Sequence, residues 1–287
     1  MTVAVAVETL STGAVTSVSR LLAGTYRQLG EVCEALTVRV ADPDPTVTQM
    51  GVTGAELTKN QDALDAFLLA ESTRIQDRYD HTPRRDVAAS RALHDYAWSV
   101  GLLMSGVWYL TGRVPRVHPE DVRIDLTTGV FEISPRSDLT CLPGDPAAAL
   151  PGALTAPHEE ALRAELRVAV ADHMEPLLSA IAPHIRRGPR ALWGMVTDDL
   201  VSGIWYLGRM LGQEPVAVRA ATALLPSAVA PYPGGADFRR LAGSDGRQHT
   251  TRTRMGCCMY YTIRPAEACS TCPRTCDAER LRRIEED

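Results

Sequence analysis

The sequence predicts an α+β protein that is predominantly α-helical, with a small β-hairpin and a C-terminal cysteine-rich loop. Three observations carry this expectation. Apolar residues recur at helical spacing over most of the chain. One stretch, 121–134, alternates apolar and polar residues around a turn. Five of the seven cysteines fall within the last thirty-one residues.

The elements follow in order. Over residues 11–36, Leu21, Leu22, Tyr26, Leu29, Val32, Cys33 and Leu36 share a helical face. The run Leu36–Val40 reads as a short strand, broken by Asp42-Pro43-Asp44-Pro45. Helices are expected over about 55–80, ended by Pro83, and over about 86–112. In DVRIDLTTGVFEIS (121–134), Thr127-Thr128-Gly129 supplies the turn of a hairpin. The Pro-, Gly- and Asp-rich stretch 135–157 reads as a loop and the best internal boundary. Pro157 suits the start of a helix to about 182; Glu159 and Glu160 complement its N-terminal dipole, and Pro176 is a candidate kink. Further helices are expected over about 189–212 and 216–224. Residues 226–247, with three prolines and four glycines, read as a linker, and a short charged helix follows Cys276. The expected organisation is therefore 1–135, 158–225 and 248–287.

Two helices share a motif. Ser105-Gly106-Val107-Trp108-Tyr109-Leu110 matches Ser202-Gly203-Ile204-Trp205-Tyr206-Leu207, and each copy precedes a proline, Pro115 or Pro215. All four tryptophans, Trp98, Trp108, Trp193 and Trp205, lie in this pair. Two core helices with aromatic anchors is the plainer reading; a pseudo-symmetric pair lining a cleft is the sharper one. Residues 96–112 carry no charge, but seventeen residues with three glycines read as a buried core helix rather than a membrane span. Asp198 and Asp199 read as a helix surface. Cys33 and Cys141, isolated, read as small buried hydrophobes.

Composition excludes several classes. A net charge of −5 argues against general nucleic-acid binding. Residues 237–287 hold ten arginines against eight acidic residues, so the cysteine-bearing end is the more basic part. No secretory signal is expected, since no basic residue precedes Arg20 and Glu8 interrupts the apolar start. The expected location is cytoplasmic, where clustered thiols act as metal ligands rather than disulfides. The seven histidines show no metal-binding pair, and there is no P-loop and no G-x-G-x-x-G dinucleotide fingerprint.

The tail carries the chemistry. Cys257, Cys258, Cys269 and Cys272 read C-C-x10-C-x2-C, with Cys276 beyond. Thiolates in such density select zinc, copper(I) or iron–sulfur clusters. Only Cys269/Cys272 forms a zinc-type knuckle, and adjacent cysteines chelate one tetrahedral ion awkwardly. Two irons set apart relax that constraint, so a [2Fe–2S] cluster fits better than zinc. A [4Fe–4S] arrangement through Cys276 ranks lower. Gly256 is expected to supply unusual backbone angles before the pair. Arg252, Arg254 and Arg264 flank the cysteines and offset cluster charge, against the plain alternative of a solvated basic surface. Met259, Tyr260 and Tyr261 either shield the cluster or simply pack.

The spacing C-C-x10-C-x2-C, preceded by Arg252 and Arg254 and followed by Tyr261 and Cys272-Pro273, resembles the FhuF family of siderophore-iron reductases. The resemblance is specific over about 252–273 and looser over 90–225; Cys276 lies outside it, as a spare thiol or substitute ligand. It implies a cytoplasmic protein that binds one [2Fe–2S] cluster through Cys257, Cys258, Cys269 and Cys272. It further implies reduction of ferric iron in a siderophore of hydroxamate type, with Arg252, Arg254 and Tyr261 as candidates for tuning the cluster. Without a nicotinamide or flavin signature, an external donor such as a ferredoxin or a flavin reductase is expected. The alternatives are an electron-transfer or iron-sensing protein with the same cluster, and a non-redox interaction protein with a structural zinc tail.

Overall fold

A computed structural model describes residues 17–42, 51–244 and 246–286. The expectations for residues 11–16 and for Pro43-Asp44-Pro45 lie outside these. The elements are α1 (Val18–Val32), β1 (Val38–Val40), β2 (Val52–Thr53), α2 (Gly54–Lys59), α3 (Gln61–Tyr79), α4 (Arg85–Thr111), β3 (Val114–Pro115), β4 (Val122–Ile124), β5 (Phe131–Ile133), β6 (Leu139–Cys141), β7 (Ala153–Thr155), α5 (Glu159–Ile181), α6 (Pro189–Met210), α7 (Glu214–Leu224), β8 (Arg239–Ala242), β9 (Gln248–Thr251) and α8 (Asp277–Glu286). The protein is α+β and predominantly helical, with its cysteine-rich segment near the C-terminus.

Local chemistry sets the boundaries. Ser17 caps α1. The helix expected over 55–80 divides at Asn60, which ends α2 and accepts the first amides of α3 on its side chain. Thr53 and Glu56 form a capping box before α2. The hairpin pairs Val122 with Ile133 and Ile124 with Phe131. Asp125 Oδ1 accepts the Thr127 amide at 2.8 Å, and Gly129 takes the left-handed conformation at φ +74° that closes the turn. This hairpin is the centre of a four-stranded sheet ordered β1-β5-β4-β2, in which β1 runs parallel to β5.

Two loop expectations are corrected. Residues 135–157 contain β6 and β7, which complete a second sheet, β3-β6-β7. Leu139 and Cys141 alternate inward there, both buried, so two three-residue strands lay hidden under a turn-like composition. The stretch 226–247 is strapped to the body rather than a free linker. Tyr232 is buried and its hydroxyl donates to the Arg167 carbonyl at 2.6 Å, while the Ala236 amide donates to the Leu225 carbonyl at 2.8 Å. Its prolines shape a fixed path along α5 and α7.

One apolar core runs from α1 to Ala236. α4 lies in its middle, buried nearly all round, as the uncharged stretch 96–112 requires. Among the described residues no helix is long and apolar enough to cross a membrane. α4 packs along α6 where glycines permit close approach: a Cβ on Gly203 would lie 3.0 Å from Leu102 Cγ. The matching glycine of the first motif copy, Gly106, instead receives Leu29 of α1, where a Cβ would lie 2.8 Å from Leu29 Cδ1.

Candidate metal centre

The segment after β9 folds back on α6. Cys257, Cys258, Cys269 and Cys272 all line one cavity, together with Arg254, Gly256, Tyr260, Tyr261 and Pro273. Cys269 and Cys276 are both exposed, and only Cys276 is not part of that lining. The Cys272 amide donates to the Cys269 carbonyl at 2.9 Å, which closes the C-x-x-C turn. Met259, at φ +65°, reverses the chain after the adjacent pair in a conformation most side chains avoid. Among the described residues, no three cysteine, histidine or carboxylate groups converge tightly enough to hold one metal ion.

Asp198 and Asp199 hold this segment in place, which overturns their reading as a helix surface. Both are fully buried. Arg252 donates to Asp198 Oδ1 at 2.7 Å and, through Nε, to the Ala236 carbonyl at 2.9 Å. The Gly256 amide donates to Asp198 Oδ2 at 2.7 Å, which fixes the backbone directly before Cys257. Arg254 donates to Asp199, and His94 of α4 shares the same carboxylate oxygen at 2.7 Å. Gly256 does not adopt a left-handed angle, contrary to expectation. Its missing side chain lets the loop touch α6, where a Cβ would fall 2.6 Å from Met195 Cγ and 3.0 Å from the Met195 amide nitrogen.

Backbone carbonyls of the loop are held by arginines from outside it. Arg280 of α8 is buried and donates to the carbonyls of Ser270 at 2.5 Å, Cys272 at 3.0 Å and Thr275 at 3.1 Å. Arg283 donates to the Ala268 carbonyl. Arg187 donates to the Cys257 carbonyl and to Met259 Sδ. Arg91 of α4 lies near the Cys258 thiol, pairs with Asp95 at 2.8 Å, and sits 5.4 Å from the centre of the Tyr260 ring. Arg274 lies over the Tyr261 ring at 4.3 Å.

The electrostatics suit an anionic thiolate-bound group. Burial pushes the Cys257 thiol up, and the nearby Cys258 and Cys272 thiols add to the shift. Enclosure raises Cys269 as well, with Cys258 and Cys272 adding and Arg254 opposing. Cys257 and Cys269 thus each lie within electrostatic reach of Cys258 and Cys272. Metal or cluster binding there displaces protons. Burial alone would raise Asp199, but Arg254 and His94 outweigh it and hold the carboxyl below its usual range. Arg254 carries the clearest sign of an expected guest: its Nε is buried without an acceptor, 3.9 Å from Asp198 Oδ2, in a residue that lines the cysteine cavity. Four thiols with a spare buried donor fit a [2Fe–2S] centre.

The sequence-derived candidates separate here. Arg254 and Tyr261 line the cavity; Arg252 lies behind them, committed to Asp198 and Ala236. Arg264 is exposed and pairs with Glu267 at 2.6 Å. Sequence reasoning missed Arg91, Arg187, Arg280 and Arg283 as supports. A usable signal existed only for Asp198-Asp199, two acids inside an otherwise apolar helix.

A larger open cleft of about 480 Å³ adjoins this cavity. Trp98 of α4 and Trp205 and Tyr206 of α6 form its apolar wall, and Trp98 meets Tyr206 edge to face at 5.8 Å. Trp108 and Trp193 take no part in it. Ser270 and Thr271, the two middle residues of the C-x-x-C turn, line the cleft, and Arg254 lines both it and the cysteine cavity.

Residues 254–274 match the family model described as the FhuF 2Fe-2S C-terminal domain. The matched stretch contains Cys257, Cys258, Cys269 and Cys272 and stops before Cys276. No curated protein matches the chain.

Proposed function

From a chain whose C-terminal segment is an FhuF-type 2Fe–2S domain, we propose a ferric-siderophore reductase in which Cys257, Cys258, Cys269 and Cys272 hold the cluster. The observation that carries this reading is the shared cavity of those four thiols, lined also by a buried arginine with an unused donor. When bound, the [2Fe–2S] centre supplies a one-electron carrier. One electron from an external reductant converts Fe(III) to Fe(II), and no covalent bond to the protein forms or breaks. Hydroxamate oxygens are hard ligands that hold Fe(III) far better than Fe(II), so a single electron is enough to release the metal.

The residues of the chain supply position and charge. Arg254 and Arg91 approach Cys258 and offset negative charge there. Arg280, Arg283 and Arg187 fix the backbone of the thiol-bearing loop, so the ligands are placed before the centre is bound. Tyr260 and Tyr261 line the cavity and supply aromatic surface beside the centre. No flavin or nicotinamide signature supplies electrons, so the donor is a ferredoxin or a flavin reductase, and the reduced thiols suit a cytoplasmic setting.

Protein purified without oxygen is expected to be reddish-brown, to give an S = 1/2 EPR signal after dithionite, and to reduce a ferric trihydroxamate. Serine at any of the four cavity cysteines should remove the spectrum, while Cys276→Ser should keep it. A colourless protein that holds zinc after anaerobic reconstitution with iron and sulfide overturns the proposal.

A further inference from the structure

The cleft between α4 and α6 has the size of a small-molecule site, which typically spans about 300–1,000 Å³. Its wall is aromatic, and its floor carries the hydroxyls of Ser202, Ser270 and Thr271. Such a surface offers apolar contact to the organic shell of a ligand and hydroxyl donors to its oxygens. Ser270 and Thr271 sit between Cys269 and Cys272, so a ligand resting on them is separated from the cysteine cavity by one backbone turn.

The charge of the cleft is also legible. Asp95 is paired with Arg91, while His94 and Arg254 both engage Asp199. Arg209 is different. It is exposed at the last turn of α6, 5.9 Å from the centre of the Trp205 ring, and among the described residues no carboxylate pairs with it. Arg209 therefore presents an unpaired guanidinium at the cleft edge, with the Glu34 carboxylate also near Tyr206.

We propose that this cleft binds the ferric chelate itself, resting on Ser270, Thr271 and Arg254, and that Arg209 makes it select a neutral or anionic complex over a cationic one. The inference rests on the reductase reading and names where its substrate docks. Like charge at the cleft edge disfavours a cationic complex, whereas an uncharged oxygen-rich complex gains the aromatic wall without that repulsion.

The test separates binding from reduction. Gallium(III) is redox-inert and stands in for iron(III) in a trihydroxamate prepared with a free, protonated amine or with that amine acylated. Calorimetric titration of the cluster-loaded protein should show the neutral complex binding about 3–10-fold more tightly than the cationic one. Arg209→Glu should reverse that order. Ala35→Trp, an exposed lining position, should fill the mouth and weaken both complexes by about tenfold or more, with the visible spectrum of the cluster unchanged. Wild-type affinities in both variants overturn the proposal, and Arg209→Glu decides the matter if Ala35→Trp alters the spectrum. Should ferric chelates be reduced while the cleft variants bind normally, the docking site is wrong and the reductase reading stands. Should the gallium complexes bind as described while no ferric chelate is reduced, the cleft stands and the reductase reading fails.

Discussion

Arg254 is the residue on which the two cavities meet. Its charge is neutralised by Asp199, yet its buried Nε keeps a donor without an acceptor. Truncating it removes that donor and exposes the cluster to the Asp199 carboxylate. Arg254→Ala is expected to lower the midpoint potential by about 40 mV, equal to about 1 kcal/mol on one electron. Potentiometric EPR titration reads this directly, and an unchanged potential would remove Arg254 from the tuning role. Asp198 acts differently, as an anchor. Asp198→Asn leaves Arg252 buried without its anion and weakens the hold on the Gly256 amide. A loss of about 3 kcal/mol is expected in denaturant unfolding, and a loss below about 1 kcal/mol would show that the pair is dispensable.

α5 carries a second buried polar element that the site does not use. His173 is buried between the Tyr96 hydroxyl, at 2.8 Å, and the Val117 carbonyl, at 2.8 Å. Burial pushes its pKa down to about 4. The unfolded chain, with an ordinary histidine near 6.5, therefore binds this proton over a range in which the folded protein refuses it. The contribution is fully present above about pH 6.5 and is lost as pH falls toward about 4, by about 3 kcal/mol. Denaturation midpoints at pH 7.5 and 5 should differ in the native protein and differ less in His173→Gln. An identical slope in that variant would assign the acid sensitivity elsewhere. At this scale the sequence was clearest where long apolar runs or strict alternation stood between turn formers, as in α4, α5 and the hairpin, although α5 is capped by His158 and Pro157 lies outside it. It failed where strands were three residues long and framed by turn formers, as in β6 and β7. Asp198 and Asp199 were misread because their partners, Arg252 and Arg254, lie more than fifty positions away. Spacing of the cysteines was legible because they fall close together in the chain; the arginines that support them come from α4, the turn before α6, and α8 and leave no local pattern.

In the whole molecule, the apolar core and the cysteine segment are stabilised by different means. The main core ends at Ala236, and the segment beyond it is tied to the body by the Arg252–Asp198 and Arg254–Asp199 pairs, by arginine–carbonyl bonds and by a small apolar cluster of Ile263 with Ile75 and Val87. Removing the cluster should therefore spare the body. Chelated protein is expected to keep its far-ultraviolet helical signal, while amides of residues 254–276 exchange with solvent much faster in hydrogen-exchange mass spectrometry. Global loss of helical signal would show instead that the cluster holds up the entire fold.

If a guest in the cleft alters the surroundings of Arg254, which lines both compartments, its occupancy and the oxidation state of the centre are thermodynamically linked. Such linkage is reciprocal. A guest that raises the potential by about 59 mV must bind the reduced protein about tenfold more tightly than the oxidised one. A protein wired in this way is easier to reduce when a guest of that kind is in place, so electrons are drawn preferentially to molecules that can use them.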